Sequence, residues 1–487
     1  MKPQPRFGSL SPDAHAVRRT GVIVAILFVL LALCFRTVIR GDGVGYYAYL
    51  PAVVGHGSLN LEPTFERFLQ AGVPVQAEFL QIRLGTGFTA DYKQVGSALL
   101  ALPFYAVATV VLGITPQTED PALDPTYQFA FTAAALFYAL FALFLLYRFM
   151  RFYWARWSSR LALIAVAFGT PLVAYIFFEP SYSHAFSVAA IIAFALFLYV
   201  TGPGRLSWQW FLLGLLGGVV AITHIQESLY VALIPAEALW LIWSRRWKWK
   251  LAGGYAIALT GFAIALLPQV VVDRVIFGGW LPASAPNLSF DFWHPHLLDL
   301  LVSTHHGWLA WSPLVVVGLL GLPLVVRRFG WFAIALIAIG IGELWINAAL
   351  SDWWGGLGFG ARRLTDQTLL LALSYAALFD WARSRIPAAV VAAVTAGVAW
   401  TVLLLAQFYY VIRVDAGPSW PDFLLGQLRA IQYVPRLFIQ GGVIRELATG
   451  QLLAGALTAG VLAILLGGAL FLSPWLPLRQ ANATLMK

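Results

Sequence analysis

Apolar runs of about 20 residues alternate with short polar segments along nearly the whole chain. Such runs match the thickness of a bilayer core, so each predicts a membrane-spanning helix. They fall near 21–39, 127–147, 161–178, 184–201, 209–225, 228–243, 252–272, 309–325, 331–349, 367–382, 387–411 and 451–472. The pattern predicts an all-α polytopic integral membrane protein of about 12 spans. The run from Gln94 to Ile114 is also apolar. Counting it as a crossing would move the arginine-rich 148–160 loop to the wrong side, so it is expected as a surface or re-entrant helix in the first outer loop. Residues 295–306 predict a second interfacial helix, in a central outer loop. One division is expected at residue 382: a catalytic membrane module over 1–382, then helices and an outer loop over 383–487.

Charge sets the orientation. One set of loops carries Arg18 and Arg19, then Arg148, Arg151, Arg156 and Arg160, then Arg245, Arg246, Lys248 and Lys250, then Arg327 and Arg328, with almost no acids. The positive-inside rule makes that side cytoplasmic, together with both termini. The long loops 40–126, 273–308, 350–366 and 412–450 then face outward and hold most of the acidic residues. A bacterial inner membrane fits this pattern.

Composition narrows the class. The chain is 60% hydrophobic and 11% charged, with a mean hydropathy of +0.78. The formal charge of +9 is explained by topology and does not imply nucleic acid. The single cysteine, Cys34, excludes a disulfide framework and a thiolate metal cluster. The first span lacks a small-residue cleavage site and reads as an uncleaved anchor.

Candidate chemistry crowds the outer ends of the helices. Asp42 follows the first span, within Arg40-Gly41-Asp42-Gly43-Val44-Gly45-Tyr46-Tyr47. A carboxylate so near hydrocarbon is costly and calls for a reason. It reads as a general base or metal ligand, or else as a turn residue capping a helix. Tyr46 and Tyr47 beside it are candidate substrate contacts. Between the ninth and tenth spans, Asp352, Trp353 and Trp354 precede a glycine-rich stretch ending in Arg362 and Arg363. Arginines on the acidic side oppose the charge rule; they suit bidentate phosphate binding or anchor lipid headgroups. Lys93 offers a third cation. His305 and His306 open the eighth span and read as hydrogen-bonding or packing residues, because neighbouring helical positions diverge. Glu179 and His184 share a tight outer turn, suited to acid–base work or helix capping. Glu343, Glu237, His224 and Glu227 are buried polar groups that need partners.

These segments together resemble the C-type glycosyltransferase superfamily, with bacterial members related to protein O-mannosyltransferases and aminoarabinose transferases. The likeness rests on Gly41-Asp42-Gly43 after the first helix, on Tyr92-Lys93-Gln94-Val95-Gly96 and on Ser183-His184-Ala185. It extends through Gly307-Trp308-Leu309-Ala310-Trp311-Ser312-Pro313 and Gly358-Phe359-Gly360-Ala361-Arg362-Arg363. The resemblance implies a sugar donor linked to polyprenyl phosphate and an extracytoplasmic acceptor hydroxyl. Asp42 would be the base, with inversion at the anomeric carbon, and Arg362, Arg363 and Lys93 would hold the donor phosphate. Arg40 stands where an acid pair would place its first acid, so no metal cofactor is expected, although a divalent cation remains open. A lipid or solute transporter is the alternative, but the expected paired, broken helices in two related halves are not visible.

Overall fold

The computed structural model describes residues 34–81, 83, 85–112, 122–281, 288–412, 417–439 and 442. The expected first span therefore lies largely, and the expected last span entirely, outside the described residues. What is described is all-α, with only an isolated bridge between Phe290 and Leu350.

The first helix, α1 (Gly43–Leu50), is wholly buried and runs into a wider turn at Pro51–Gly55. α2 (Glu62–Gln70) and α3 (Gly96–Leu112) complete the first loop. Then come α4 (Pro125–Tyr153), α5 (Arg156–Phe168), α6 (His184–Thr201) and α7 (Ser207–Thr223). A tight 3-10 segment, Ile225–Ala232, leads into α8 (Leu233–Trp243) and then α9 (Lys250–Phe277). Four short helices follow: α10 (Leu297–Val302), α11 (Trp308–Trp311), α12 (Leu314–Leu319) and α13 (Leu322–Phe329). α14 (Trp331–Ala349), α15 (Thr368–Ala382) and α16 (Pro387–Tyr410) are continuous, and α17 (Trp420–Ala430) and α18 (Val434–Ile439) close the described chain.

By length and composition, six described segments can cross a membrane: α4, α6, Ile225–Trp243, α9, α14 and α16. Several expected spans are interrupted, each for a backbone reason. The 161–178 run stops at Phe168 and resumes as a wide turn at Ala174–Phe178, after Gly169-Thr170-Pro171. Proline lacks an amide donor and disfavours helix in the residue before it. The 309–325 run splits into α11, α12 and α13 at Pro313 and at Gly321-Leu322-Pro323. The expected 295–306 helix contracts to the six residues of α10. α3 packs along α4: the Tyr105 and Tyr127 rings stack at 4.4 Å, and Tyr138 donates to the Leu100 carbonyl at 3.2 Å.

α4, α5, α6 and α15 form the most buried part of the core, while α7 and α9 make the most extensive helix pair. Buried charge within the bundle is fully paired in one place. Arg205 grips Glu237 with two contacts, at 2.6 and 3.0 Å, Tyr255 donates to the same carboxylate at 3.2 Å, and the guanidinium lies 4.7 Å from the Trp210 ring. This answers for Glu237 as a structural ion pair.

Candidate functional site

Segments preceding α1, α3, α6 and α15 meet in one polar pocket. Gly41 turns the chain with a left-handed backbone (φ +57°), which places Asp42 at the N-terminus of α1. Gly43 lies so close to Ser181 that a Cβ would strike its side chain. Asp42 thus sits in a gap only glycines permit.

Three donors converge on the Asp42 carboxylate. Arg362 Nη1 approaches Oδ2 at 2.6 Å, Lys93 Nζ lies 3.4 Å from Oδ1, and the Gln76 amide donates to Oδ1. Burial alone would raise this carboxyl's pKa; Arg362, then Lys93 and the hydrogen bonds, outweigh it and hold the group well below the usual carboxylate range. Burial disfavours the charged Arg362, but the facing Asp42 more than compensates, so its pKa is raised. Its guanidinium also stands 5.4 Å from the Tyr182 ring. Lys93 spans the Tyr46 and Phe79 rings at 5.8 and 5.7 Å, and its carbonyl accepts from Tyr49 at 2.8 Å. The pocket therefore joins one acid, held ionised by its partners, to two cations.

The two arginines do different things. Arg362 faces Asp42, whereas Arg363 pairs with Asp352 through its carboxylate at 2.7 Å and its carbonyl at 2.9 Å. The two tyrosines also part. Tyr46 borders the pocket, while Tyr47 is fully buried against Phe68, Tyr105 and Phe131. Tyr47 is thus a core residue rather than a substrate contact, because the helix turns it about 100° from its neighbour.

Glu179 belongs to an adjoining cluster. Arg40 lies 3.6 Å from its Oε1 and Tyr409 of α16 donates to the same atom at 3.1 Å. Burial raises the Glu179 pKa, although Arg40 and Tyr409 oppose it. His305, His306 and Trp353 form an aromatic wall on the far side of the glycine-rich loop. His305 stacks on Trp354 at 5.2 Å and meets Trp353 edge-on at 5.9 Å. Burial pushes His306 down to about 3, so the neutral ring donates from Nδ1 to the Trp354 carbonyl at 3.0 Å.

Beneath Arg362 lies a second polar group. His184, Glu227 and Asp366 come together from α6, Ile225–Ala232 and Arg362–Gln367, close enough to hold a metal ion. Glu343 of α14 adjoins them and accepts from Gln367. Sequence reasoning noted Glu227 and Glu343 but did not link them to Asp366. Gln76 and Tyr409 carried no sequence signal, since neither type is unusual in a loop or at a helix end.

No family model matches the sequence, and no curated protein does. Among solved structures, the chain resembles ArnT from Cupriavidus metallidurans in its apo state, with a TM-score of 0.50 and 14% identity over 94% of this chain and 75% of that one. A second structure of that ArnT, bound to undecaprenyl phosphate, aligns with a TM-score of 0.45 and 14% identity, over 94% of this chain and 76% of that one; at that level it carries no argument. A likeness at 14% identity speaks for the fold alone: the all-α, polytopic fold expected from the apolar runs is one this chain shares with that ArnT.

Proposed function

We propose that the chain is a membrane glycosyltransferase that moves a sugar from a polyprenyl-phosphate donor to an acceptor hydroxyl outside the cytoplasm. One observation carries the reading: Asp42 is held by Arg362 and Lys93 in a polar pocket at the ends of lipid-exposed helices. Such a pocket suits a donor with an anionic phosphate and an oily tail. Beside it, an apolar groove of about 640 Å³ runs from Val95 to Leu267, Pro268 and Val271 of α9, the right chemistry for the tail.

In this mechanism the donor phosphate takes Arg362 and Lys93 from Asp42. Losing those partners raises the proton affinity of the carboxylate and frees its lone pairs for the acceptor. The acceptor oxygen attacks the anomeric carbon, the bond from that carbon to the phosphate oxygen breaks, and Asp42 takes the hydroxyl proton. Attack opposite the leaving group inverts the configuration. Polyprenyl phosphate leaves with its charge held by Arg362 and Lys93, a term that is large where water is scarce. Arg363, held by Asp352, steadies the loop above, and Tyr46, Glu179, His305 and Trp353 border the space left for sugar and acceptor. The pocket faces outward, with both termini in the cytoplasm.

The test is transfer in lipid nanodiscs with labelled polyprenyl-phosphate sugars, alongside mass spectrometry of co-purifying lipids. Sugar release that depends on Asp42 supports the reading. Turnover unchanged in Asp42→Asn, or no bound polyprenyl phosphate in any preparation, would sink it.

A further inference from the structure

Two buried carboxyl groups near the pocket lack what Glu237 has. Glu227 and Asp366 are each 1% exposed, and apart from each other and the Ser187 hydroxyl beside Glu227 their four carboxylate oxygens find no hydrogen-bond partner. Among the described residues no lysine or arginine pairs with either. The one basic contact is His224, whose Nδ1 lies 3.4 Å from Glu227 Oε1 and accepts or donates no hydrogen bond of ordinary geometry. An uncompensated pair of buried carboxylates is costly, and Glu343 adds a third acid nearby.

His184 completes the cluster. One ligand-capable atom from each of His184, Glu227 and Asp366 lies within 4.8 Å of the other two. Thr365 also orients the imidazole. Its hydroxyl donates to the Arg362 carbonyl at 2.7 Å, so toward His184 Nδ1, at 3.3 Å, it acts as acceptor. The proton then sits on Nδ1, and Nε2 is left with a free lone pair, the arrangement a metal-bound histidine requires.

We propose that His184, Glu227 and Asp366, with His224 in the fourth position, bind one first-row divalent cation, zinc in the first instance. Two imidazoles and two carboxylates match the donor set zinc takes at about 2.0–2.2 Å; His184, Glu227 and Asp366 reach it by closing inward by about 1 Å, and His224, whose Nδ1 lies 3.4 Å from Glu227 Oε1, turns in to complete it. The cation offsets two of the negative charges. It also fastens the Arg362–Gln367 segment to α6 and to Ile225–Ala232, and so sets where Arg362 stands relative to Asp42. Its role is positional: it holds the segment that carries the phosphate-facing arginine.

Metal content and stability test this without reference to transfer activity. Protein purified without chelator should carry about one zinc per chain by elemental mass spectrometry. Stripping it should lower the unfolding midpoint, and added Zn²⁺ should restore it. Asp366→Asn and Glu227→Gln each remove a direct ligand and should weaken zinc binding at least ~100-fold, beyond the roughly 10- to 100-fold lost with an outer-shell partner. Should those variants fail to fold, Co²⁺ loaded into the stripped wild-type protein still decides the matter, because a tetrahedral site gives strong visible absorption. Zinc well below one per chain after Zn²⁺ loading, no midpoint shift and no Co²⁺ band would overturn the site. Variants more stable than wild type would overturn it too, and would mean that the two carboxyls share a proton instead.

Discussion

Asp42→Asn separates two roles that the pocket assigns to one residue. The carboxylate occupies both cations a donor phosphate needs, at 2.6 Å from Arg362 and 3.4 Å from Lys93. The phosphate must therefore displace Asp42 before it can bind fully. A charge-assisted hydrogen bond is worth about 1.5–3 kcal/mol. Asparagine keeps a neutral acceptor, roughly half as strong. About 0.75–1.5 kcal/mol of competition is removed, so polyprenyl phosphate should bind roughly 3- to 12-fold more tightly. Turnover should move the other way, falling at least ~100-fold with the loss of the base. The empty variant also buries two cations without their anion, so it should unfold at a lower temperature and recover when the lipid is added. Titration of labelled polyprenyl phosphate against both proteins in nanodiscs gives the first number, and single-turnover transfer gives the second. Equal or weaker binding by the variant would refute the competition between Asp42 and phosphate.

The other predictions concern the neighbours. Arg362→Ala should weaken polyprenyl phosphate binding roughly 10- to 150-fold, the loss of one charge-assisted contact, with only partial rescue by lysine, which lacks the planar fork. Arg363→Ala should leave that affinity within about twofold and lower stability instead, since Arg363 is spent on Asp352; matched titration and thermal unfolding tell the two arginines apart. For pH, the unfolded carboxyl titrates near about 3.9 and the folded Asp42 lies well below it. Its contribution to stability is therefore present above about pH 4–5 and lost as the pH falls toward the folded value. Unfolding followed by tryptophan fluorescence should show that acid limb flattened in Asp42→Asn, and identical slopes would contradict the pairing. For topology, cysteines placed at Trp293 and Leu357 in a Cys34-free background should react with an impermeant thiol reagent in intact cells. Cysteines at Arg156 and Trp247 should not, and labelling at 156 would reverse the assignment.

The continuous helices were legible because their apolar runs hold proline only where the backbone tolerates it, at the first turn of α16 or as a lone residue, as at Pro268 of α9. The expected 184–201 and 331–349 spans coincide with α6 and α14, and 387–411 with α16 to within a residue. Hydropathy was blind at Pro171, Pro313 and Pro323, where the run stays apolar while the backbone bonding fails. It was equally blind to the small scale of α10. Asp42 stood out because a charge beside hydrocarbon is expensive. The division of labour between Arg362 and Arg363 could not be read, since neighbouring residues of one type differ only in the direction the fold gives them. The same holds for Tyr46 and Tyr47. Gln76 joins the pocket only because the first loop folds back on itself.

The bond between Arg362 and Asp42 spans 320 residues of chain. At a synthesis rate of about 5–20 residues per second, Asp42 leaves the ribosome roughly 15–60 seconds before its partner. During that interval the nascent protein carries its most costly acid without its main counter-ion. Deep seating of α1 must therefore wait until the loop after the ninth expected span is made. A chain truncated before residue 362 would keep that carboxylate at the bilayer edge with Lys93 as its counter-ion and without Arg362, a mark by which membrane quality control could tell unfinished copies from finished ones. The pocket becomes whole only after the ninth expected span and its outer loop are made, so its closure marks a late step of insertion, with three expected spans still to follow.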